Sequence, residues 1–82
     1  MKTDIFSTAI TNRKKIKFLY RLSPIEMEPY YLSINKGGSK VIYGRVNSSS
    51  HIKMFEFKKI FNIKVLKSSK FSPIIPILPI YN

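Results

Sequence analysis

The stretch IEMEPYYLSINKGGSKVIYGRV, residues 25–46, decides the fold of this chain. Ile25–Ser33 alternates apolar and polar side chains, which is the period of a half-buried β-strand. Asn35-Lys36-Gly37-Gly38 then predicts a tight hairpin turn, because glycine accepts the positive φ angles that such turns need. Lys40–Val46 is predicted as the second strand of this hairpin. Pro29 has no N–H to donate, so it marks an edge strand or a bulge.

Three further strands are predicted outward from this hairpin. Lys15–Leu22 alternates in the same way and is broken by Ser23-Pro24. A polar turn at residues 47–50 precedes strands over His51–Phe57 and Phe61–Leu66. Five short strands with local connections and a small core predict a meandering barrel or a strongly bent sheet. The predicted apolar face carries Ile16, Phe18, Tyr20 and Leu22 in the first strand and Ile25, Met27 and Tyr31 in the second, opposite Glu26, Glu28, Tyr30 and Leu32.

The two ends of the chain depart from this β pattern. Apolar residues at positions 5, 6, 9 and 10 share one helical face, which predicts a short helix capped by Thr3 or Asp4 and ending near Asn12 or Arg13. We expect it to lie across one mouth of the barrel. Residues 68–82 are predicted to be a proline-rich extended tail following a domain of residues 1–67. Prolines at every third position favour polyproline II, and the apolar residues between them favour packing on the open barrel edge or on a neighbouring subunit over a role as a proline ligand.

The composition describes one small folded domain with a strong positive charge. The 82 residues hold 15 Lys or Arg against 4 Asp or Glu, a formal charge of +11, and 44% are hydrophobic. That hydrophobic fraction is too high for a disordered basic tail. The chain has no cysteine, which excludes disulfides and thiolate metal sites. Without a long apolar run or a signal-peptide pattern, we expect a soluble cytoplasmic protein with no membrane partner.

Few residues offer catalytic chemistry. Glu26 and Glu28 would share one strand face as an acid–base or cation-binding pair, but no third group accompanies them, and solvent exposure beside lysines is favoured. His51 has no companion base or metal ligand and is interpreted as a surface side chain. The glycines lack the spacing of a phosphate-binding loop. We therefore expect no enzymatic activity, no metal and no cofactor.

The basic residues indicate the sign of a partner. Residues 29–82 hold nine Lys or Arg and one acid, Glu56. Lysines on one surface attract phosphates by releasing counterions, although a charge of this size also serves plain solubility. A second basic group runs from the end of the helix into the first strand and consists of Arg13, Lys14, Lys15 and Lys17.

One predicted strand carries cations and aromatic rings together. Lys53 and Phe55 would share a face with Phe57 and Lys59. This combination is typical of single-stranded nucleic-acid grooves, where cations hold the backbone and rings stack on bases. Packing of both rings in the core of a small barrel is the favoured alternative.

The order of these segments resembles the WYL domain family. The short helix followed by RKKIKFLYR at residues 13–21 and MEPYYL at residues 27–32 is similar to the opening of that family. Residues 37–44, GGSKVIYG, occupy the place of the strand that names it, with Lys40-Val41-Ile42 where the family has Trp-Tyr-Leu. Residues 53–60, KMFEFKKI, resemble its Arg-x-Phe-x-Leu-x-Arg-Ile segment, with lysines in place of arginines.

This resemblance covers most of the chain, about residues 4–66. It implies an N-terminal short helix and a five-stranded Sm-like, or Src-homology-three-like, β-barrel. In the family such barrels serve as ligand-sensing or nucleic-acid-binding modules of bacterial transcription regulators and defence systems. Tyr20 matches a family position near the proposed ligand site.

Two functions are predicted. The first is a non-catalytic module that binds an anionic ligand, single-stranded nucleic acid or a nucleotide-like effector, in a regulatory context. The alternative is a protein–protein interaction module that forms a homo-oligomer or docks on a larger regulatory protein through the open barrel edge and the proline-rich tail. The residues predicted to bind the anionic ligand are Tyr20, Arg45, Lys53, Phe55, Lys59, Arg13, Lys15 and Lys17.

Overall fold

The computed structural model describes residues 1–46, 49–67 and 70–75. Within these residues, one helix precedes five antiparallel strands, which confirms the predicted mainly-β fold class. The hairpin turn predicted at residues 35–38 is present, with Gly38 at a φ of 82°. The elements are α1 (Lys2–Thr11), β1 (Ile16–Tyr20), β2 (Ser23–Ile34), β3 (Lys40–Val46), β4 (Ile52–Glu56), a 3₁₀ turn η1 (Phe57–Lys59) and β5 (Ile60–Val65).

The sheet is strongly curved, as its strand order requires. That order is β4-β3-β2-β1-β5, so the two edge strands are consecutive in sequence and joined by η1. In a flat sheet the outer two of five strands would lie about 19 Å apart. The four Cα steps from Glu56 to Ile60 span at most about 15 Å even when fully extended. The Tyr20 hydroxyl accepts a hydrogen bond from the Glu56 N–H at 3.3 Å, which ties β4 to β1. The assignment as an Sm-like barrel stays a prediction.

The core lies between α1 and the concave face of the sheet. Phe6 meets Phe57 edge to face with ring centroids 5.0 Å apart, and it anchors the helix. A fully buried Leu, Ile, Phe or Met side chain contributes about 1.5–3 kcal/mol, so this cluster is the main stabilising contribution. The helix begins after Met1, not after Thr3 or Asp4 as predicted, and its last residue, Thr11, is followed by the C-cap Asn12, close to the predicted end. The buried cluster consists of Phe6, Ala9, Ile10, Ile16, Phe18, Met27, Leu32, Ile42, Val46, Phe55, Phe57 and Ile60.

A bulge in β2 reverses the predicted facing of its second half. Pro29 pairs with Gly44, and the next paired residue is Tyr31, opposite Tyr43, so Tyr30 is the extra residue. Of the two predictions for Pro29, the bulge is confirmed and the edge position is wrong, because β2 lies in the centre of the sheet. After the bulge Leu32 enters the core, while Tyr31 stacks on Tyr43 with ring centroids 4.5 Å apart. The prediction that Tyr31 faces inward and Leu32 outward is therefore wrong.

The turn between β1 and β2 lies two residues earlier than predicted. Arg21 and Leu22 have φ angles of 49° and 71°, so both central residues of a two-residue hairpin loop are left-handed. Ser23 and Pro24 therefore begin β2 instead of ending β1. Leu22 is 88% exposed at the tip of the turn, and its predicted place on the apolar face is wrong.

The described part of the C-terminal segment packs on its own chain. Phe71 is buried and stacks on Tyr30 with ring centroids 5.7 Å apart. Its N–H donates to the Arg13 carbonyl at 3.0 Å, and the Ile74 N–H donates to the Tyr30 hydroxyl at 2.9 Å. The predicted turn at residues 47–50 lies partly outside the described residues, and so does the predicted proline-rich tail. Its separation from a domain of residues 1–67 stays a prediction.

Candidate nucleic-acid interface

Two acid-free segments of the sequence pair with each other in the sheet. No Asp or Glu occurs at residues 5–25 or 57–82. β1 pairs with β5 antiparallel, with Lys17 opposite Lys64, and the Leu66 N–H extends the pairing by donating to the Lys15 carbonyl at 2.9 Å. The contact of Phe71 with Arg13 continues it. We call the cations of this strand pair and its extension the basic ribbon: Arg13, Lys15, Lys17, Lys64, Lys67 and Lys70.

The basic ribbon is open to solvent and has few acids beside it. Five of its six side chains are exposed, and Lys15 is half-buried. Within the described residues, no ion pair within 4 Å joins any of them to a carboxylate. Glu26 is the register partner of Lys17 in β2 and is the acid nearest to the ribbon in the pairing scheme. The ribbon therefore concentrates exposed positive charge along two paired segments.

A cavity of about 320 Å³ opens within the basic ribbon. Leu19 and Pro24 are register partners in β1 and β2 and supply its apolar wall together with Phe18. Asn62 lies at the irregularity in β5 with a φ of 55°, a left-handed conformation that asparagine tolerates better than most residues. The cavity thus combines an apolar wall with one asparagine and two lysines among its lining residues. Its lining residues are Lys17, Phe18, Leu19, Pro24, Asn62 and Lys64.

The predicted binding residue Arg45 lies in a different environment. Its Nε and Nη2 donate to the two carboxylate oxygens of Glu28 at 3.0 and 2.9 Å. The hydrogen bond to Glu28 raises the pKa of Arg45 above its ordinary value. Glu28 is 5% exposed and also accepts the Tyr30 hydroxyl at 3.0 Å, so its predicted solvent exposure is wrong. This carboxylate occupies the Nε–Nη2 edge of Arg45 and offsets its charge, which opposes binding of a phosphate there.

Lys59 is likewise engaged by an acid. Its ammonium lies 2.7 Å from Glu56 Oε1, and Lys58 lies 3.8 Å from the other oxygen of the same carboxylate. The hydrogen bond from Lys59 lowers the pKa of Glu56 below its ordinary value, and both lysine charges act in the same direction. The pair of Lys59 with Glu56 therefore joins the end of β4 to the end of η1.

The predicted aromatic and cationic stripe does not form one exposed surface. Phe55 is 6% exposed and packs edge to face against Phe18 at 5.4 Å and Tyr20 at 4.8 Å. Phe57 is buried in η1, where the strand period ends. Both rings thus occupy the core, as the favoured alternative held, because the chain turns after Glu56 instead of continuing as a strand. Lys53 is exposed on the edge strand β4, opposite Gly44.

The structure brings together three of the eight predicted binding residues. Arg13, Lys15 and Lys17 lie on the ribbon, while Arg45, Lys59, Tyr20 and Phe55 contribute to other contacts. Sequence reasoning missed Lys64, Lys67 and Lys70, which complete the ribbon. The available signal was the predicted curved sheet, because curling a five-stranded meander brings its first and last strands side by side.

Metal and membrane features are scarce in the described residues. His51 is exposed, and no cluster of three His, Cys, Asp or Glu side chains there has the arrangement of a metal site. No helix in residues 1–46, 49–67 and 70–75 has the length and apolar character needed to cross a membrane.

Comparison with known proteins shows where this fold occurs. No protein-family model and no curated protein matches the chain. Among solved structures, it is similar to proteasome accessory factor B/C (PafBC) of Arthrobacter aurescens, with a TM-score of 0.72 and 23% sequence identity. The match covers 85% of this chain and 12% of the PafBC chain. The two proteins therefore share a fold over a small part of PafBC.

Proposed function

We propose that this chain is a WYL-like, non-catalytic regulatory module that binds single-stranded nucleic acid along the basic ribbon. One observation carries the proposal: two acid-free segments pair, so that Lys17 faces Lys64 and four further cations follow along the same two segments. The WYL resemblance of residues 4–66 supports a regulatory binding role. The similarity of fold to a small part of PafBC supports a module that works within a larger assembly.

The proposed mechanism is electrostatic. Phosphates of a flexible strand displace counterions from the ribbon, and this release drives association. Five of the six ribbon cations are lysines, which act as point charges without the planar fork of arginine. Such a surface holds a phosphate backbone with little dependence on base sequence. The engagement of Glu28 and Glu56 with cations supports a binding role over acid–base catalysis.

A salt titration tests this proposal. Affinity for a fluorescent single-stranded oligonucleotide, measured by anisotropy, should fall with a log-log salt slope of about −3 to −4 when four to six phosphates are neutralised. Lys67→Gln should lower the affinity and make the slope shallower by about 0.7. Lys36→Gln is the matched control, because Lys36 is an exposed lysine in the turn between β2 and β3. Undetectable binding at low salt, or equal effects of both variants, would contradict the proposal.

A protein–protein interaction module is the second candidate. Strand β4 is a sheet edge, and its Met54 is 42% exposed, so the strand is available for pairing with another chain. Deletion of residues 72–82 should then change the oligomeric state measured by light scattering without changing oligonucleotide affinity. A mass that stays the same after the deletion contradicts a role for the tail.

A further inference from the structure

The facing lysines of β1 and β5 are an electrostatic liability for the folded chain. Lys17 and Lys64 are direct cross-strand partners, and both side chains line the same cavity. Like charges placed opposite each other in an antiparallel pair destabilise the sheet. Glu26, the register partner of Lys17, supplies one negative charge for two ammonium groups. A bound anion between Lys17 and Lys64 would relieve this repulsion.

The rest of the cavity specifies more than a bare anion. Leu19 and Pro24 are apolar lining residues beside the two lysines. Inorganic phosphate has no apolar part that could be buried against them. Asn62 adds an amide that both donates and accepts hydrogen bonds. The volume of about 320 Å³ lies at the small end of ligand sites, which span roughly 300–1,000 Å³. These features together suit one flat, partly apolar ring that carries a phosphate.

We propose that this cavity binds one nucleotide unit, with the phosphate between Lys17 and Lys64 and the base against Leu19 and Pro24. Asn62 is a lining residue, and its amide would contact the base edge or the sugar hydroxyls. The inference deepens the proposed function, because the cavity is the point of the basic ribbon at which a base, as well as a phosphate, is held. It predicts that the protein binds free nucleoside monophosphates in addition to single-stranded nucleic acid.

Three small ligands test the proposal on the unmodified chain. Adenosine 5′-monophosphate carries ring and phosphate, whereas ribose 5-phosphate lacks the ring and adenosine lacks the charge. In NMR titrations of the ¹⁵N-labelled protein, the monophosphate should bind at least about tenfold more tightly than either fragment. The largest amide shifts should occur at Leu19 and Asn62. Equal affinities for the monophosphate and ribose 5-phosphate would overturn the proposal.

Variants test the proposal a second time, because one substitution should lower the affinity for the monophosphate and raise the melting temperature. Lys64→Gln should weaken monophosphate binding about tenfold while raising the melting temperature, because it removes both the anion contact and the repulsion of Lys17. Lys36→Gln, the matched control, should do neither. Leu19→Ser should weaken the monophosphate and leave ribose 5-phosphate unchanged. If Leu19→Ser does not fold, the comparison of ligands on the unmodified chain still decides.

The failure of this proposal is distinguishable from failure of the proposed function. Oligonucleotide binding with the expected salt slope, combined with no monophosphate shifts at Leu19 or Asn62, refutes the cavity site and leaves the ribbon standing. Monophosphate binding without oligonucleotide binding supports the cavity and refutes the strand-binding role. Absence of both refutes both.

Discussion

Substitution of Gly44 by alanine should cause the largest loss of stability among the three glycines of this chain. Gly44 lies in β3 opposite Pro29, where β2 and β3 approach closely. A Cβ added there would collide with the backbone carbonyl oxygen of Glu28 and would lie 2.7 Å from both Cγ and Sδ of Met27. The Met27 side chain can rotate, but the Glu28 carbonyl moves only if the central hairpin opens. Gly44 is thus required for space.

The magnitude follows from the kind of atom that blocks the new methyl group. Overpacking a core costs about 1–3 kcal/mol when side chains can adjust. A backbone obstacle places Gly44→Ala at the top of this range, about 3 kcal/mol. A chain of 82 residues has a total stability of about 4–12 kcal/mol, so this is a large fraction. The melting temperature should fall by about 12–24 °C.

The other two glycines are internal controls. Gly38 has a φ of 82° and open space around the added Cβ, so Gly38→Ala should cost about 1–2 kcal/mol from backbone strain alone. For Gly37 the nearest atom is Asn35 Oδ1 at 3.5 Å, an ordinary contact, and its φ is not left-handed. Gly37→Ala should therefore change the free energy of unfolding by less than about 1 kcal/mol.

Urea unfolding followed by circular dichroism measures all three variants with a common slope. Met27→Ala alone removes a buried core side chain, so a double-mutant cycle is needed. The cost of Gly44→Ala measured in the Met27→Ala background should be only partly smaller, because the Glu28 carbonyl remains in place. The reasoning is refuted if Gly44→Ala costs no more than Gly38→Ala. It is also refuted if removing the Met27 side chain relieves all of the strain in the double variant.

Three further predictions concern the turn, an ion pair and the C-terminal contact. Leu22→Gly should raise the free energy of unfolding by about 1 kcal/mol, because Leu22 is exposed at a φ of 71° that glycine adopts without strain. A lower melting temperature for this variant would contradict the left-handed turn. The pKa of Glu56 lies below its ordinary value of 4.5 because of Lys59. This ion pair therefore stabilises the fold above about pH 4.5, and its contribution is lost as the pH falls through the pKa of the folded state. Lys59→Gln should lower the melting temperature near about pH 7 and leave it unchanged near about pH 2. Burial raises the pKa of Tyr30. Phe71→Ala uncovers the Tyr30 ring and should therefore lower its pKa towards 10 in an ultraviolet titration. An unchanged pKa would argue against the stacking contact.

The elements of the fold were predictable where local chemistry decides them. The glycine turn at residues 35–38 and the alternation in β1 identified the strands, because both signals act within a few residues. The facing of β2 after Pro29 was not predictable from its pattern. One extra residue in a strand exchanges the two faces, and a mixed run such as Tyr30-Tyr31-Leu32 is compatible with either arrangement. Leu22 gave no turn signal, because neither it nor Arg21 is a residue that favours positive φ.

The candidate interface was predictable only in part, because it depends on contacts between distant segments. Arg13, Lys15 and Lys17 are neighbours in sequence, and the sequence predicts them, together with Lys14, as one basic group. Their proximity to residues 64–70 follows from the pairing of the first and last strands, which no local pattern encodes. The same limit applies to Arg45, because the hydrogen bonds from its guanidinium to Glu28 depend on the register between β2 and β3.

The position of the four acids, more than the net charge of +11, determines where an anionic partner would be attracted. Glu28 and Glu56 occupy cations on β3 and at η1, which removes Arg45 and Lys59 from the attractive surface. The β1–β5 pair has no acid of its own, so Lys17 and Lys64 face one another with Glu26 of β2 as the acid paired beside them. Lysine supplies affinity without much discrimination. Selectivity in such a protein must then come from shape and apolar contact, and within the basic ribbon the cavity beside Leu19 offers both.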